Sequence, residues 1–167
     1  MMQDDESVIP AVGFLASFRA SVACFAETNV NWRKENVYSR VHQQFRRGFQ
    51  SVKLETSSSG LKSQSINQPG GTCTAVLGKW CARKESSGNS ASGSYSWVHM
   101  RGRRGRFVTL ITCYRVAQTS GVGLGDVTAF VQQETLIRSA GVQVPKPKRH
   151  IMKEITDFVT TSMEKGD

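Results

Sequence analysis

The sequence predicts an α/β fold, in which amphipathic helices pack on the outside of a mostly antiparallel or mixed β-sheet. Two observations favour this class. Short apolar segments, clearest at residues 72–77 and 107–114, are typical of buried strands. Segments whose apolar residues recur at helical spacing, as in 35–47, indicate helices with one buried face. The length of 167 residues fits one domain or a piece of a larger one.

The first third of the chain alternates predicted helices with predicted strands. A helix is predicted over residues 7–19 and a buried strand over 21–25. An amphipathic helix follows over 35–47, and a weaker strand over 49–54. Residues 55–71 are rich in Ser, Gly, Asn and Gln and are therefore predicted to form a flexible loop.

The middle of the chain is predicted to consist of strands. The strand over 72–77 is followed by a second predicted flexible loop over 85–94, which has the sequence ESSGNSASGS. Further strands are predicted over 95–100 and 107–114. Because the RGRRGR segment between them contains two glycines, it is predicted to connect them as a hairpin.

The last third is predicted to be helical. Asp126 is a candidate N-cap, and Gly141 is a candidate residue just beyond the end of the same helix. Pro145 and Pro147 predict an extended linker, and residues 149–163 predict a final amphipathic helix. The pattern as a whole favours an α/β sandwich.

The chain carries a net charge of +9 and has a pI of about 9.8. Residues 79–106 contain seven basic residues and one acid. A second basic cluster lies at residues 146–153. Patches of this kind attract ligands that carry phosphate, although a solvated basic face without a ligand is the alternative.

No apolar run approaches the roughly 18 to 20 residues of a membrane span. Residues 1–6 include three acids, which is not typical of a secretory signal peptide. A soluble intracellular protein, cytoplasmic or nuclear and without a membrane partner, is therefore expected. The four cysteines have no metal-binding spacing and are expected to be reduced. Cys24 and Cys113 lie in apolar runs and are predicted to be buried.

Three motifs put polar side chains at strand ends. Glu27 and Asn29 follow the first buried strand, where a carboxylate is well placed to line a cleft. The PGGT segment at 69–72 predicts a tight turn that brings its backbone close to a neighbouring group. Tyr114 and Arg115 end another strand and offer a hydroxyl and a bidentate phosphate ligand. Taken singly, each motif is equally compatible with ordinary surface or turn residues.

In their order and spacing, the motifs resemble the endonuclease/exonuclease/phosphatase family, in particular its retroelement-associated subgroup. The resemblance covers roughly residues 8–160. It implies a partial four-layer α/β sandwich of the DNase I-like type, within a single incomplete domain over residues 1–167. The similar blocks are ETNVNW at 27–32, PGGT at 69–72, GKW at 78–80, the stretch at 101–116, and a helix containing Gln132 and Gln133.

The resemblance implies an endonuclease that depends on Mg²⁺ or Mn²⁺ and cleaves phosphodiester bonds in nucleic acid, with DNA as the first expectation. It implies that Glu27 binds the metal, in keeping with the oxygen ligands that Mg²⁺ prefers. It implies that Tyr114 contacts the substrate phosphate and that Asn29 supports catalysis. The remainder of a retroelement polyprotein, including a reverse transcriptase, is an expected partner. The candidate substrate and phosphate contacts are Thr72, Arg115, Arg101, Arg103, Arg104 and Arg106.

Residues 1–167 lack several parts of the family pattern: an Asn-bearing strand before the first helix, an Asp-x-Asn strand after the last one, and a closing Ser-Asp-His segment. Position 26 is Ala where the family usually has Gln. His42, His99 and His150 match no family position and are predicted to be surface or partly buried residues. Because catalytic groups that act as a unit are strongly non-additive, a truncated or inactive fragment is expected.

Two other functions remain open. A non-catalytic nucleic-acid-binding module would use the positive charge and the hairpin, with Trp80, Trp97 and Tyr95 as stacking groups unless they belong to the core. A phosphatase acting on small phosphoesters or inositol lipids is the third candidate, since one fold can host both activities.

Overall fold

A computed structural model describes residues 5–58, 70–90, 92–114 and 147–164. In these ranges the chain is mixed α/β, with two antiparallel sheets of three strands each. The elements are α1 (Asp5–Ser17), β1 (Val22–Ala26), α2 (Glu35–Gly48), β2 (Val52–Ser57), β3 (Thr72–Leu77), a 3₁₀ helix (Gly78–Arg83), β4 (Lys84–Asn89), β5 (Tyr95–Arg101), β6 (Phe107–Cys113) and α3 (Pro147–Glu164).

The first sheet has the strand order β1-β3-β2. Its central strand, β3, is buried along its whole length. Both faces of β3 are covered, so its apolar and its hydroxyl-bearing side chains are buried alike. Thr72 pairs with Ala26 of β1 on one side and with Ser57 of β2 on the other, so β1, β3 and β2 meet at one end of the sheet.

Helices α1 and α2 cover one face of the first sheet. Val37, Val41 and Phe45 of α2 recur every fourth residue and are all buried. They pack with Val8 and Val12 of α1 in the larger of the two core clusters. Because these apolar residues recur at the helical period, they form one buried face, and this face attaches α2 to the sheet.

The second sheet, of order β4-β5-β6, covers the other face of the first. Val76 of β3 packs with Val98 and Met100 of β5 in a second core cluster, whereas its neighbour Ala75 packs in the helical cluster. Successive side chains of a strand point to opposite faces, so β3 contributes to both interiors.

Helix α3 contacts the second sheet. The ring of Phe158 lies 5.0 Å from the ring of Tyr95 and 5.5 Å from that of Trp97, measured between centroids. The hydroxyl of Ser92 also donates a hydrogen bond to the carboxylate of Glu154 at 2.8 Å. An aromatic stack and a charge-assisted hydrogen bond together hold α3 in place.

Most elements confirm the sequence predictions, but both predicted flexible loops are partly wrong. Residues 55–57 belong to β2, which begins at Val52 rather than at residue 49. Within the predicted loop 85–94, residues 85–89 belong to β4, an edge strand of small polar residues paired with β5. Pairing with a neighbouring strand overrides the low strand propensity of that sequence. Residues 59–69 of the first loop lie outside the described residues.

Three smaller predictions also change. Cys24 and Cys113, expected to be buried, are exposed, because β1 and β6 are edge strands. Pro147 is the first residue of α3 rather than part of a linker, in keeping with the preference of proline for the first helical turn. The predicted helix from Asp126 to Gly141, together with Pro145, lies outside the described residues.

No helix within the described ranges combines the length and the apolarity needed to cross a membrane.

Candidate functional site

The loop that follows β1 has an unusual backbone. Glu27 and Asn29, the first and last residues of what we call the strand-end loop (residues 27–29), both have φ near +54°. A residue other than glycine in this region costs about 1–3 kcal/mol, and it persists only where the surrounding structure fixes it. Strain of this kind is concentrated at functional sites, so the contacts of the loop decide what it can do.

The strand-end loop is fixed by the backbone of two glycines. The backbone N–H of Asn29 donates to the carbonyl oxygen of Gly70 at 2.8 Å, and the N–H of Gly70 donates to Asn29 Oδ1 at 2.8 Å. The N–H of Thr28 donates to the carbonyl oxygen of Gly71 at 3.2 Å. Asn29 therefore positions the loop, since its amide oxygen already accepts a hydrogen bond from Gly70.

The two glycines are required at their positions. Gly70 and Gly71 have φ of +80° and +82°. A Cβ on Gly71 would lie 2.8 Å from the carbonyl oxygen of Ser57 and 3.0 Å from Thr28 Oγ1, closer than side chains tolerate. The Thr28 hydroxyl in turn accepts a hydrogen bond from the indole N–H of Trp32 at 2.9 Å. The close approach predicted from the PGGT motif is therefore confirmed.

Tyr114 reaches the same place from the end of β6. Its backbone N–H donates to the carbonyl oxygen of Ser94 at 2.7 Å. Its ring lies against Gly70, where an added Cβ would be 3.3 Å from Tyr114 Cε1. Glu27, Asn29 and Tyr114, which the sequence analysis grouped by motif order, thus lie around one glycine pair.

Thr72, a predicted phosphate contact, has a different position. It is 0% exposed, and its hydroxyl donates to Ser96 Oγ at 3.0 Å. Its hydroxyl therefore lies between the sheets and cannot contact a substrate in this conformation. Because Thr72 directly follows Gly71, its buried side chain helps to fix the position of that glycine.

Thr72 belongs to a layer of buried hydroxyls between the two sheets. The hydroxyl oxygens of Thr74 and Thr112 lie 2.6 Å apart, and those of Thr74 and Ser96 lie 2.9 Å apart. The Ser57 hydroxyl donates across the sheets to the carbonyl oxygen of Ser90 at 2.9 Å. The members of this hydroxyl layer are Ser57, Thr72, Thr74, Ser90, Ser92, Ser94, Ser96 and Thr112.

Hydroxyls are costly to bury unless they are hydrogen-bonded, and satisfied polar networks make an interior rigid. Ser90 illustrates this, since its Oγ accepts hydrogen bonds from the backbone N–H groups of Ser94 at 2.8 Å and Tyr95 at 3.1 Å. The hydroxyl layer thus forms a fixed base below the strand-end loop and Tyr114.

Two acidic groups at this end of the sandwich stay neutral at pH 7. Burial raises the pKa of the Tyr95 hydroxyl, and the negative charge of Glu154 raises it further. The thiol of Cys113 is partly desolvated although the residue as a whole is exposed, and this partial desolvation raises its pKa. Tyr95 and Cys113 therefore add no negative charge to that of the exposed Glu27 carboxylate.

The donor set at this end fits a lightly held divalent cation. Among the described residues, no three His, Cys, Asp or Glu side chains gather into a metal-binding group. Mg²⁺ is typically held by one or two carboxylates, retained waters and a substrate phosphate rather than by a cage of protein ligands. The exposed carboxylate of Glu27 can fill the protein's part of that arrangement.

The arginines of the predicted site are not brought to Glu27. Arg101 ends β5, and Arg103, Arg104 and Arg106 lie in the turn between β5 and β6. This turn is at the opposite end of the strands from Tyr114, about 20 Å away along a strand of this length. Arg115 lies outside the described residues.

The aromatic residues proposed for stacking separate into two kinds. Tyr95 and Trp97 are covered by Phe158 and serve to attach α3. Trp80 is half-buried in the 3₁₀ helix and packs against the second core cluster, and the guanidinium carbon of Arg83 lies 5.3 Å from the centroid of its ring. Arg83 was not among the predicted site residues, although a basic residue three positions after an indole was a usable signal.

Comparison with protein-family models and with curated proteins gives no match to this chain. The motifs and the contacts of the described residues are therefore the basis for proposing a function.

Proposed function

We propose that the chain is a Mg²⁺-dependent endonuclease of phosphodiester bonds in nucleic acid, with Glu27 as its metal ligand, and that its activity is low because residues 1–167 lack several parts of the family pattern. The observation that carries this proposal is the convergence of three separate motifs, at Glu27, Gly70 and Tyr114, on one end of the sandwich. The contacts of α1 and α2 with the first sheet and of α3 with the second support a DNase I-like four-layer arrangement.

The residues at this end would divide the work. Glu27 would hold Mg²⁺, or Mn²⁺ in its place, which supplies positive charge to the phosphate and the leaving oxygen. Tyr114 would donate a hydrogen bond from its hydroxyl to a phosphate oxygen. Asn29 would act as a positioning residue, because its two hydrogen bonds to Gly70 hold the strained backbone that presents Glu27.

The charge of the chain fits a polyanionic substrate. A net charge of +9 raises the local concentration of nucleic acid and accelerates encounter, independently of sequence. Association with a retroelement polyprotein and its reverse transcriptase belongs to the same proposal and is supported by the motif resemblance alone.

The test is nicking of supercoiled plasmid by the purified chain, with Mg²⁺ and with EDTA. Glu27→Ala is the test variant, and Glu164→Ala, which removes an exposed carboxylate from the end of α3, is the matched control. Nicking that needs Mg²⁺, is lost in Glu27→Ala and survives in Glu164→Ala would support the proposal. Nicking that persists in Glu27→Ala would contradict the assigned role of Glu27.

A second candidate function is a nucleic-acid-binding protein without catalysis. It is favoured by the position of the exposed hairpin arginines, Arg103, Arg104 and Arg106, at the end of the sandwich away from Glu27. Absence of nicking by folded protein, together with binding of DNA that is unchanged by EDTA, would overturn the nuclease proposal in favour of this one.

A further inference from the structure

The end of the sandwich opposite Glu27 has a groove between the 3₁₀ helix and the β5–β6 turn. Its volume is about 510 Å³. Five described residues line this basic groove: Lys79, Trp80, Arg83, Gly102 and Arg103. Three of them carry positively charged side chains, and none of them is acidic. A concave surface lined by charges of one sign concentrates ligands of the opposite charge.

Arg83 is held in place within the groove. Its guanidinium group lies over the ring of Trp80, and its Nη1 donates to the carbonyl oxygens of Arg101 at 3.3 Å and Gly102 at 3.4 Å. A guanidinium group that is already stacked and hydrogen-bonded loses little conformational entropy when it binds an anion.

The turn that carries Arg103 is equally well defined. The N–H of Arg106 donates to the carbonyl oxygen of Arg103 at 3.2 Å, and Arg104 and Gly105 have φ of +57° and +72°. These are the features of a two-residue type I′ hairpin turn. Gly102 is also required, because an added Cβ would lie 2.9 Å from the carbonyl oxygen of Arg106. Arg103 is therefore presented on a fixed backbone.

An apolar pocket of about 210 Å³ adjoins the basic groove and shares Trp80 and Gly102 with it. The pocket opens between the two sheets, and one of its walls is Val108, which is 51% exposed. Val22 of the first sheet and Met100 and Leu110 of the second also line it. A ligand at this place would meet an apolar surface and a row of cations side by side.

Neighbouring charges leave the groove positive. Arg101 forms an ion pair with Glu85, and Lys84 lies 3.7 Å from a carboxylate oxygen of Glu55. The carboxylates of Glu85 and Glu55 are therefore paired with basic side chains that do not line the groove.

We propose that the basic groove binds an unpaired strand of nucleic acid, with one base in the apolar pocket against Trp80 and the flanking phosphates on Lys79, Arg83 and Arg103. An apolar aromatic slot beside fixed cations suits a ligand that alternates planar bases with phosphates. The strand must be unpaired, because a base within a duplex is stacked and paired and cannot enter the pocket.

This site is separate from the proposed nuclease site. Val22, at the start of β1, lines the apolar pocket, whereas Glu27 directly follows the end of β1. The two ends of that strand segment are about 17 Å apart. Binding in the groove therefore goes beyond the proposed nuclease function and does not depend on it.

The test is the affinity of the full chain for a short fluorescein-labelled oligothymidylate and for a labelled duplex, measured by fluorescence anisotropy without divalent cation. Trp80→Ala is expected to weaken binding of the single strand by about tenfold or more, the usual loss for one stacked base, and to change duplex binding by less than about twofold. Trp80→Phe, which keeps an aromatic face, is expected to retain most of the affinity and guards against loss of folding in the alanine variant.

The phosphate contacts have their own control. Arg103→Ala is expected to lower the slope of log affinity against log salt by about one unit. Arg104→Gly removes a charge from the same turn but from a residue that does not line the groove, and it is expected to have the smaller effect. Equal effects of the two substitutions would show that only the net charge matters and would overturn the proposed contacts.

Other outcomes decide against the proposal directly. Equal wild-type affinity for single strand and duplex, or unchanged single-strand binding by folded Trp80→Ala, would overturn it. Tighter binding of polyglutamate than of the oligonucleotide, dependent on Trp80, would reassign the groove to acidic peptides. Glu27→Ala is expected to leave single-strand binding unchanged, so failure of the nuclease proposal and failure of this one give different results.

Discussion

The interior between the two sheets differs from one end to the other. Below Glu27 it consists of the hydroxyl layer, in which Thr74, Ser96 and Thr112 contact one another across the sheets. Towards the basic groove it consists of apolar side chains, with Val76 and Val98 fully buried in the second core cluster. The same two sheets therefore pack by hydrogen bonds at one end and by hydrophobic contact at the other.

The two ends of the interior therefore contribute differently: one stabilises the pair of sheets, and the other fixes the position of the residues above it. Burial of a valine side chain contributes about 1.5–3 kcal/mol, whereas a buried hydrogen bond contributes a net of about 1 kcal/mol and leaves a large penalty when one partner is removed. The apolar end can therefore stabilise the pair of sheets. The hydroxyl end fixes the geometry of the residues above it, which are the strand-end loop and Tyr114.

The backbone strain at the two ends also differs in origin. The positive φ of Arg104 belongs to a local hairpin turn, whose hydrogen bonds join residues close in sequence. The positive φ of Glu27 and Asn29 is maintained by hydrogen bonds to Gly70 and Gly71, which are distant in sequence. The strand-end loop therefore exists only in the folded chain, while the basic turn is encoded by its own residues.

The largest effect is expected from Gly71→Ala. The added methyl group would meet the Ser57 carbonyl oxygen at 2.8 Å and would require φ of +82°, so the free energy of unfolding should fall by about 3 kcal/mol. Urea unfolding measures this. Gly13→Ala, in α1 with nothing within 4 Å of the added Cβ, is the control and should stabilise by about 0.5–1 kcal/mol. A Gly71→Ala protein as stable as wild type would show that the strand-end loop is not tightly held.

A smaller loss is expected from Thr74→Val. The substitution keeps the shape of the side chain but leaves the buried Thr112 hydroxyl without its partner at 2.6 Å, so we expect a loss of about 1–3 kcal/mol. Adding Thr112→Val removes that second hydroxyl, and the double variant should lose less than the sum of the two single variants. Strict additivity in urea unfolding would mean that these hydroxyls do not act as a network.

The smallest effect is a dependence of stability on alkaline pH. Burial raises the pKa of the Cys73 thiol far above its ordinary value, so the folded chain keeps a proton that the unfolded chain releases above about pH 8.5. This stabilisation is complete below that pH and decreases above it by about 1.4 kcal/mol per pH unit. The half-buried Tyr38 hydroxyl acts in the same direction, because partial burial raises its pKa.

Urea unfolding at a series of pH values between neutrality and pH 10 measures this slope. Cys73→Ala should reduce it by the contribution of one proton, whatever the substitution does to the stability at neutral pH. A slope unchanged by Cys73→Ala would indicate that other groups account for the alkaline loss.

Local sequence determined most of the secondary structure. The apolar spacing of α2 and the short apolar and β-branched segment of β3 predict those elements from short-range pattern alone. The two glycines of RGRRGR predict the hairpin turn for the same reason. In each case the residues that fix the element lie within it.

Tertiary structure decided what depends on distant partners. β4 has a polar sequence and is a strand because it pairs with β5. Thr72 is buried rather than available to phosphate because the second sheet covers it, and the hairpin arginines are separated from Glu27 because strands of this length place their two ends about 20 Å apart. Sequence alone therefore selected residues with suitable chemistry, and only packing decided which of them lie together, since proximity depends on sheet pairing and not on residue type.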